Sequence, residues 1–139
     1  MIDLTTKSGA RAIERLEREL ILWLTTVTPV GQPQSSPVWF LWADGEILVY
    51  SRADTPRLAN VRANPRVAAT FDGDGAGGEI VSIEGEARIA HERATLADVP
   101  TAYIEKYAAK LAAHGWTMES MLVDYPVEIG VRPTRIRAW

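Results

Sequence analysis

The chain has 139 residues, 47% of them apolar and 24% charged, which is the balance of an ordinary globular protein and not of a disordered or collagen-like one. Eighteen acidic side chains against 15 basic ones leave a net charge of −3, which argues against a nucleic-acid binder resting on bulk positive charge. With no cysteine, and only His91 and His114, 23 positions apart, thiol catalysis, iron–sulfur clusters and a histidine-rich metal site are not expected.

One domain over 1–139 is expected from the length alone. The charged N-terminus has no apolar signal core. No apolar run approaches the ~18 residues of a membrane span. The default expectation is therefore a cytoplasmic protein that does not engage a membrane.

The first predicted element is a helix over 7–19, where Ala12, Ile13, Leu16 and Leu20 recur at helical spacing behind Thr6 or Ser8 as a cap. Residues 20–28 are rich in β-branched and aromatic types and read as a strand. A turn at 29–33 leads to a second strand over 34–42. Its Pro37 requires an edge or a bulge. In that strand Ser36, Val38, Phe40 and Trp42 share one face, and Ser35, Pro37, Trp39 and Leu41 the other, so both faces are expected to be covered. Asp44-Gly45 is a hairpin signal, and a two-residue loop there sets Trp39 opposite Tyr50 on the strand 46–51.

Thr55 as N-cap and Pro56 at the first helical position open a short helix that ends before Pro65. Strands follow at 66–72 and 79–90, separated by a glycine-rich loop, with Gly85 as a bulge. Residues 92–113 are helical with an interruption near Pro100. A short turn starts at Thr117, and the last strand covers 126–139, bent at Pro133. The predicted fold class is mainly β with flanking helices: a six-stranded antiparallel split β-barrel.

Three stretches carry candidate chemistry. Between 50 and 66, Arg52, Arg57, Arg62 and Arg66 face only Asp54, an excess of three positive charges in an acidic chain. Ser51, Thr55 and Arg57 at a helix start suit a phosphate, although the same pattern also fits a solvated, well-capped helix. In 34–42, Trp39 and the backbone beside Pro37 suit a flat aromatic ligand, or else simply a central or interfacial strand. The C-terminal strand offers Arg132, Arg135, Arg137 and Trp139 with Glu128 as the one opposing acid, either as a positive wall with an aromatic lid or as a solvated edge. His91 and His114 read as surface or capping residues. Asp72-x-Asp74 with Gly77 starts like a calcium loop, but its twelfth position is Ile83. No GxGxxG, GxxxxGK[ST] or GxSxG motif is present.

The order WLTTVTPVGQPQSSPVWFLW, ILVYSRADTPRLANVRANPRVAATF and IVSIEGEARI resembles the pyridoxamine 5′-phosphate oxidase-like flavin-binding superfamily, and within it the branch dependent on a deazaflavin, coenzyme F420. The resemblance spans roughly residues 10–139. It implies a homodimer with two cofactor sites at the subunit interface. It places the cofactor phosphate on Tyr50, Ser51, Arg52, Thr55 and Arg57, and the ring along Ser36, Pro37, Val38 and Trp39. The C-terminal strand of a second copy, with Arg137 and Trp139, would close the site. Members that hold FMN tightly often carry two adjacent basic residues at the helix start; here the first of these is Pro56. The implied activity is hydride transfer from reduced F420 to an unsaturated or quinone-like small molecule. An FMN-dependent reductase, a non-enzymatic flavin or F420 carrier, and a purely structural dimer are the alternatives. No catalytic residue and no metal ligand is assigned.

Overall fold

Alternating apolar residues and tight turns dictate an antiparallel sheet, and the computed structural model, which describes residues 2–139, contains one. Helix α1 (Lys7–Arg18) precedes β1 (Leu22–Val27), β2 (Pro33–Val38), β3 (Leu41–Ala43) and β4 (Glu46–Ser51). Helix α2 (Pro56–Ala63) leads to β5 (Arg66–Thr70) and β6 (Val81–His91). A 3₁₀ turn (Leu96–Asp98), α3 (Thr101–Ala113) and α4 (Met118–Asp124) come before β7 (Val127–Ala138). The fold is mainly β with flanking helices, as expected. None of the described helices is long and apolar enough to cross a membrane.

The strand order is β2-β1-β5-β6-β7-β4-β3, all antiparallel. The count is seven, not six, because the strand expected over 34–42 is divided at Trp39–Phe40. Its first half pairs with β1 and its second with β4, so one stretch of chain forms both borders of the sheet. The result is a split barrel and not a closed one. Pro37 lies on the border strand β2, where a missing N–H breaks no ladder. The predicted opposition of Trp39 and Tyr50 is not formed, since the β3–β4 pairing stops at Leu41↔Leu48. The Asp44-Gly45 turn is present, with φ of 53° and 76° at the two residues, as a type I′ hairpin needs.

Gly85 stands at a register irregularity, where Thr134 of β7 is skipped between Glu84↔Arg135 and Gly85↔Pro133. The extra residue is thus on the partner strand. A Cβ at Gly85 would meet the Arg132 carbonyl oxygen at 2.8 Å, so only glycine permits this approach. A second irregularity, at Ala90, reorients the end of β6 and presents His91 opposite Glu128.

Two apolar clusters form. Leu16, Leu22, Leu24, Phe40, Ile47, Val49, Ile83, Ile129 and Val131 fill the first, beneath α1 and α2. Leu41, Tyr50, Tyr103, Tyr107, Leu111, Met118, Met121 and Leu122 fill the second, between β3–β4 and the helices α3 and α4. Val38, Phe40 and Trp42 belong to the first and Trp39 and Leu41 to the second, so both faces are covered from Val38 onward; on the border strand β2 the expected cover is missing, with Ser35 and Pro37 exposed. Thr6, not Ser8, caps α1 by accepting from the Gly9 N–H at 3.0 Å. Leu20 falls outside α1 and is 41% exposed; Arg15 is buried in its stead. The Arg15 guanidinium donates to the carbonyls of Glu79 and Asp72, which satisfies a charge that the helical pattern does not reveal.

Candidate functional site

The site is built where β4 hands over to α2. Asn60 fixes the helix against the sheet, its Nδ2 donating to Thr26 Oγ1 at 3.0 Å and to Gln34 Oε1 at 2.9 Å. One turn earlier, Arg57 projects back toward β2 and β4. Its Nη1 donates to Ser51 Oγ at 3.1 Å and its Nη2 donates to Ser36 Oγ. The Ser51 hydroxyl also lies 3.3 Å from Thr55 Oγ1. Three hydroxyls and a planar donor fork thus meet at one point. Thr55 occupies the N-cap position, but its side chain does not cap; it donates to the Arg52 carbonyl at 3.3 Å.

The cationic stretch is less concentrated than its sequence implies. Arg52 is paired with Asp54 at 3.3 Å, and Arg62 with Glu92 at 2.8 Å. On the last strand, Arg132 pairs with Glu86 at 3.0 Å and Arg135 lies 3.9 Å from Glu84. Glu128 does not oppose those arginines, because it is buried elsewhere. Arg57 is half-buried and meets no carboxylate among the described residues. Burial lowers its pKa, which is the signature of a cation held without its counter-charge.

A cavity of about 350 Å³ opens beside it, lined by Pro37, Val38, Trp39, Tyr50, Arg52, Thr55, Arg57, His114, Trp116, Met121 and Tyr125. Seven of the residues singled out in the sequence meet here, and Ser36 and Ser51 stand behind them on Arg57. Arg137 and Trp139 do not reach this cavity within one chain. Arg137 pairs with Ser82 across the sheet, and Trp139 exchanges two backbone hydrogen bonds with Ile80 beside α1. The Trp139 side chain is 58% exposed although its backbone is tied down.

His114, Trp116, Met121 and Tyr125 come from α3, α4 and their junctions. No local motif marks them; helical packing against β3–β4 brings them in. Trp39 stacks on Tyr107 with ring centroids 4.7 Å apart and planes 3° from parallel. The Tyr107 hydroxyl accepts from the Phe40 N–H at 2.8 Å and shares its own hydrogen between the carbonyls of Leu20 and Phe40. It thereby satisfies the backbone at the break between β2 and β3. Lys106 adds a donor to the Phe40 carbonyl at 2.9 Å, and burial lowers its pKa to about 8.

On the far side of Tyr50, the buried Glu128 accepts from the Tyr50 hydroxyl at 2.8 Å and pairs with His91 Nδ1. Burial first, and then Glu128, push the Tyr50 pKa upward. His91 Nε2 lies 3.6 Å from Asp98. The Glu128 hydrogen bond raises the His91 pKa above 6.5, aided by the charges of Glu128 and Asp98 and opposed by burial and Arg88. A raised histidine pKa contributes stability below ~6.5 that is lost as pH climbs through the folded value. Thermal melts from pH 6 to 9 are expected to show this decline, and His91→Gln is expected to flatten it. An unchanged slope in the variant would assign the decline elsewhere.

The chain matches the family model described as pyridoxamine 5′-phosphate oxidase over residues 10–139. It belongs to the pyridoxamine 5′-phosphate oxidase family. Among solved structures similar to this family member is an F420 reductase, 25% identical, covering 89% of this chain and 94% of its own, with a TM-score of 0.63. The conserved hypothetical protein Rv2991 from Mycobacterium tuberculosis is 27% identical over 96% of this chain and 85% of its own, with a TM-score of 0.75. A FAD-binding protein from Mesorhizobium loti shares the fold at 19% identity, 93% and 90% coverage and a TM-score of 0.61. No curated protein matches the sequence.

Proposed function

We propose that this member of the family is an oxidoreductase that binds a phosphate-bearing deazaflavin, coenzyme F420, and reduces an unsaturated or quinone-like small molecule. The observation that carries the reading is Arg57: a half-buried guanidinium, oriented by Ser36 and Ser51, with no carboxylate among the described residues to neutralise it. A phosphate is the anion that such a fork and its neighbouring hydroxyls fit. The family match and the F420 reductase likeness support flavin-type redox chemistry at the coarse level.

When bound, a reduced deazaflavin supplies the hydride, and the chain supplies the surroundings. Arg57, Ser36, Ser51 and Thr55 would hold the phosphate, while Pro37, Val38 and Trp39 would flank the ring. In a homodimer, the partner subunit's Arg137 and Trp139 would close the cavity and exclude water. Pro56 leaves the helix start with one basic residue where a tight FMN grip uses two, which favours a dissociable deazaflavin. The test is a parallel fluorescence titration of the purified protein with F420 and with FMN. Tighter F420 binding is expected. Tighter FMN binding, with yellow flavin copurifying, would make it an FMN-dependent reductase. Tight binding without turnover would make it a carrier, and binding of neither would remove the cofactor reading.

A further inference from the structure

The α3–α4 hairpin contributes a wall that the phosphate cradle does not explain. Trp39, already stacked on Tyr107, meets the His114 ring edge-on at 6.0 Å and the Trp116 ring at 6.4 Å. His114 and Trp116 lie 4.6 Å apart, and Tyr125 follows at 6.3 Å from Trp116. Such faces complement a planar, conjugated, uncharged molecule.

His114 is the one imidazole on this wall. Its Nδ1 lies 2.8 Å from the Lys110 carbonyl, which can only accept, so Nδ1 carries a hydrogen and the ring is anchored through it. Nε2 has no protein partner among the described residues. Of the other polar groups lining the cavity, the Tyr50 hydroxyl donates to Glu128 and the Thr55 hydroxyl to the Arg52 carbonyl, the charged Arg52 and Arg57 do not release protons near neutrality, and the Tyr125 ring packs against the Arg52 guanidinium, 5.8 Å from its centroid. An anchored imidazole with a free Nε2 in an open cavity is suited to hold and deliver a proton.

We propose that the α3–α4 hairpin forms the acceptor wall of the site, for a planar conjugated carbonyl compound of the quinone class, and that His114 Nε2 protonates the acceptor's oxygen. The inference rests on the oxidoreductase reading above. The quinone gains a hydride equivalent from the reduced deazaflavin, which is thereby oxidised by two electrons, and becomes a hydroquinone monoanion. The Nε2–H bond of the His114 imidazolium then breaks, an O–H bond forms on the remaining oxygen, and the exposed ring recovers its proton from water.

The probe is 2-methyl-1,4-naphthoquinone, added first to the full-length protein without cofactor and followed by quenching of tryptophan fluorescence. Saturable quenching is expected, with Trp116→Ala raising Kd by roughly threefold to tenfold, the worth of one aromatic contact. His114→Gln is expected to keep Kd within about threefold, while turnover with reduced F420 at pH 7 falls on the order of a hundredfold or more. The variant should also lose the ionisation limb of the pH–rate profile and recover rate with added imidazole. Non-saturable quenching, or an unchanged Kd in Trp116→Ala, overturns the acceptor wall. A wild-type rate and pH profile in His114→Gln overturn the proton role. If neither F420 nor FMN binds the wild-type protein, the oxidoreductase reading and the proton step fall together, while the quenching experiment still decides the wall.

Discussion

Arg57→Ala is expected to weaken cofactor binding by about tenfold to a hundredfold, because a charge-assisted hydrogen bond contributes about 1.5–3 kcal/mol. The same substitution is expected to leave thermal stability unchanged or slightly higher. The guanidinium is half-buried with no counter-charge among the described residues, so its removal relieves desolvation without breaking an ion pair seen there. Ser51 keeps the Arg52 carbonyl as a partner at 3.1 Å. Loss of affinity with retained stability separates a ligand-directed arginine from a structural one. Arg57→Lys should recover only part of the affinity, since an ammonium keeps the charge but not the planar fork. Calorimetric titration alongside thermal melts would show both quantities, and an unaltered Kd in Arg57→Ala would remove the phosphate role.

Tyr107→Ala is expected to carry the largest stability cost in the molecule, about 3–5 kcal/mol, as for other buried aromatic truncations. The ring is fully buried between Trp39 and Tyr103, and its hydroxyl serves the N–H and carbonyl of Phe40 at the β2–β3 break and the Leu20 carbonyl ahead of β1. Tyr107→Phe should retain the stack with Trp39 but cost about 1–3 kcal/mol, because the Phe40 N–H loses its acceptor inside the protein. Urea denaturation would resolve the two variants. A Tyr107→Ala protein within 1 kcal/mol of wild type would show that the break satisfies itself another way. Release of Trp39 should also weaken ligand binding, which couples this contact to the cavity.

The readable parts of the chain were those governed by neighbours in sequence. The Asp44-Gly45 hairpin, the Pro56 helix start, the alternation through 34–42 and the border position of Pro37 each follow from local backbone chemistry. The division at Trp39–Phe40 does not, because the groups that make it tolerable, Tyr107 and Lys106, lie more than 60 residues away. The residues proposed to hold a phosphate were legible as residues but not as electrostatics. Four arginines looked equivalent until Asp54 and Glu92 claimed two of them. His114 passed as a helix cap, which it is, because nothing near it in sequence reports that Trp39 lies across from its ring. Arg137 and Trp139 depend on a second copy for the role the resemblance implies.

The borders of the sheet have a consequence for self-association. One is β2, with Pro33 and Pro37 and so two fewer donors; the other is β3, only three residues long. Neither offers a foreign strand a continuous template, so edge-to-edge polymerisation is disfavoured from both sides. Two copies of this chain can therefore be expected to meet through side chains on their faces rather than by extending one another's ladder.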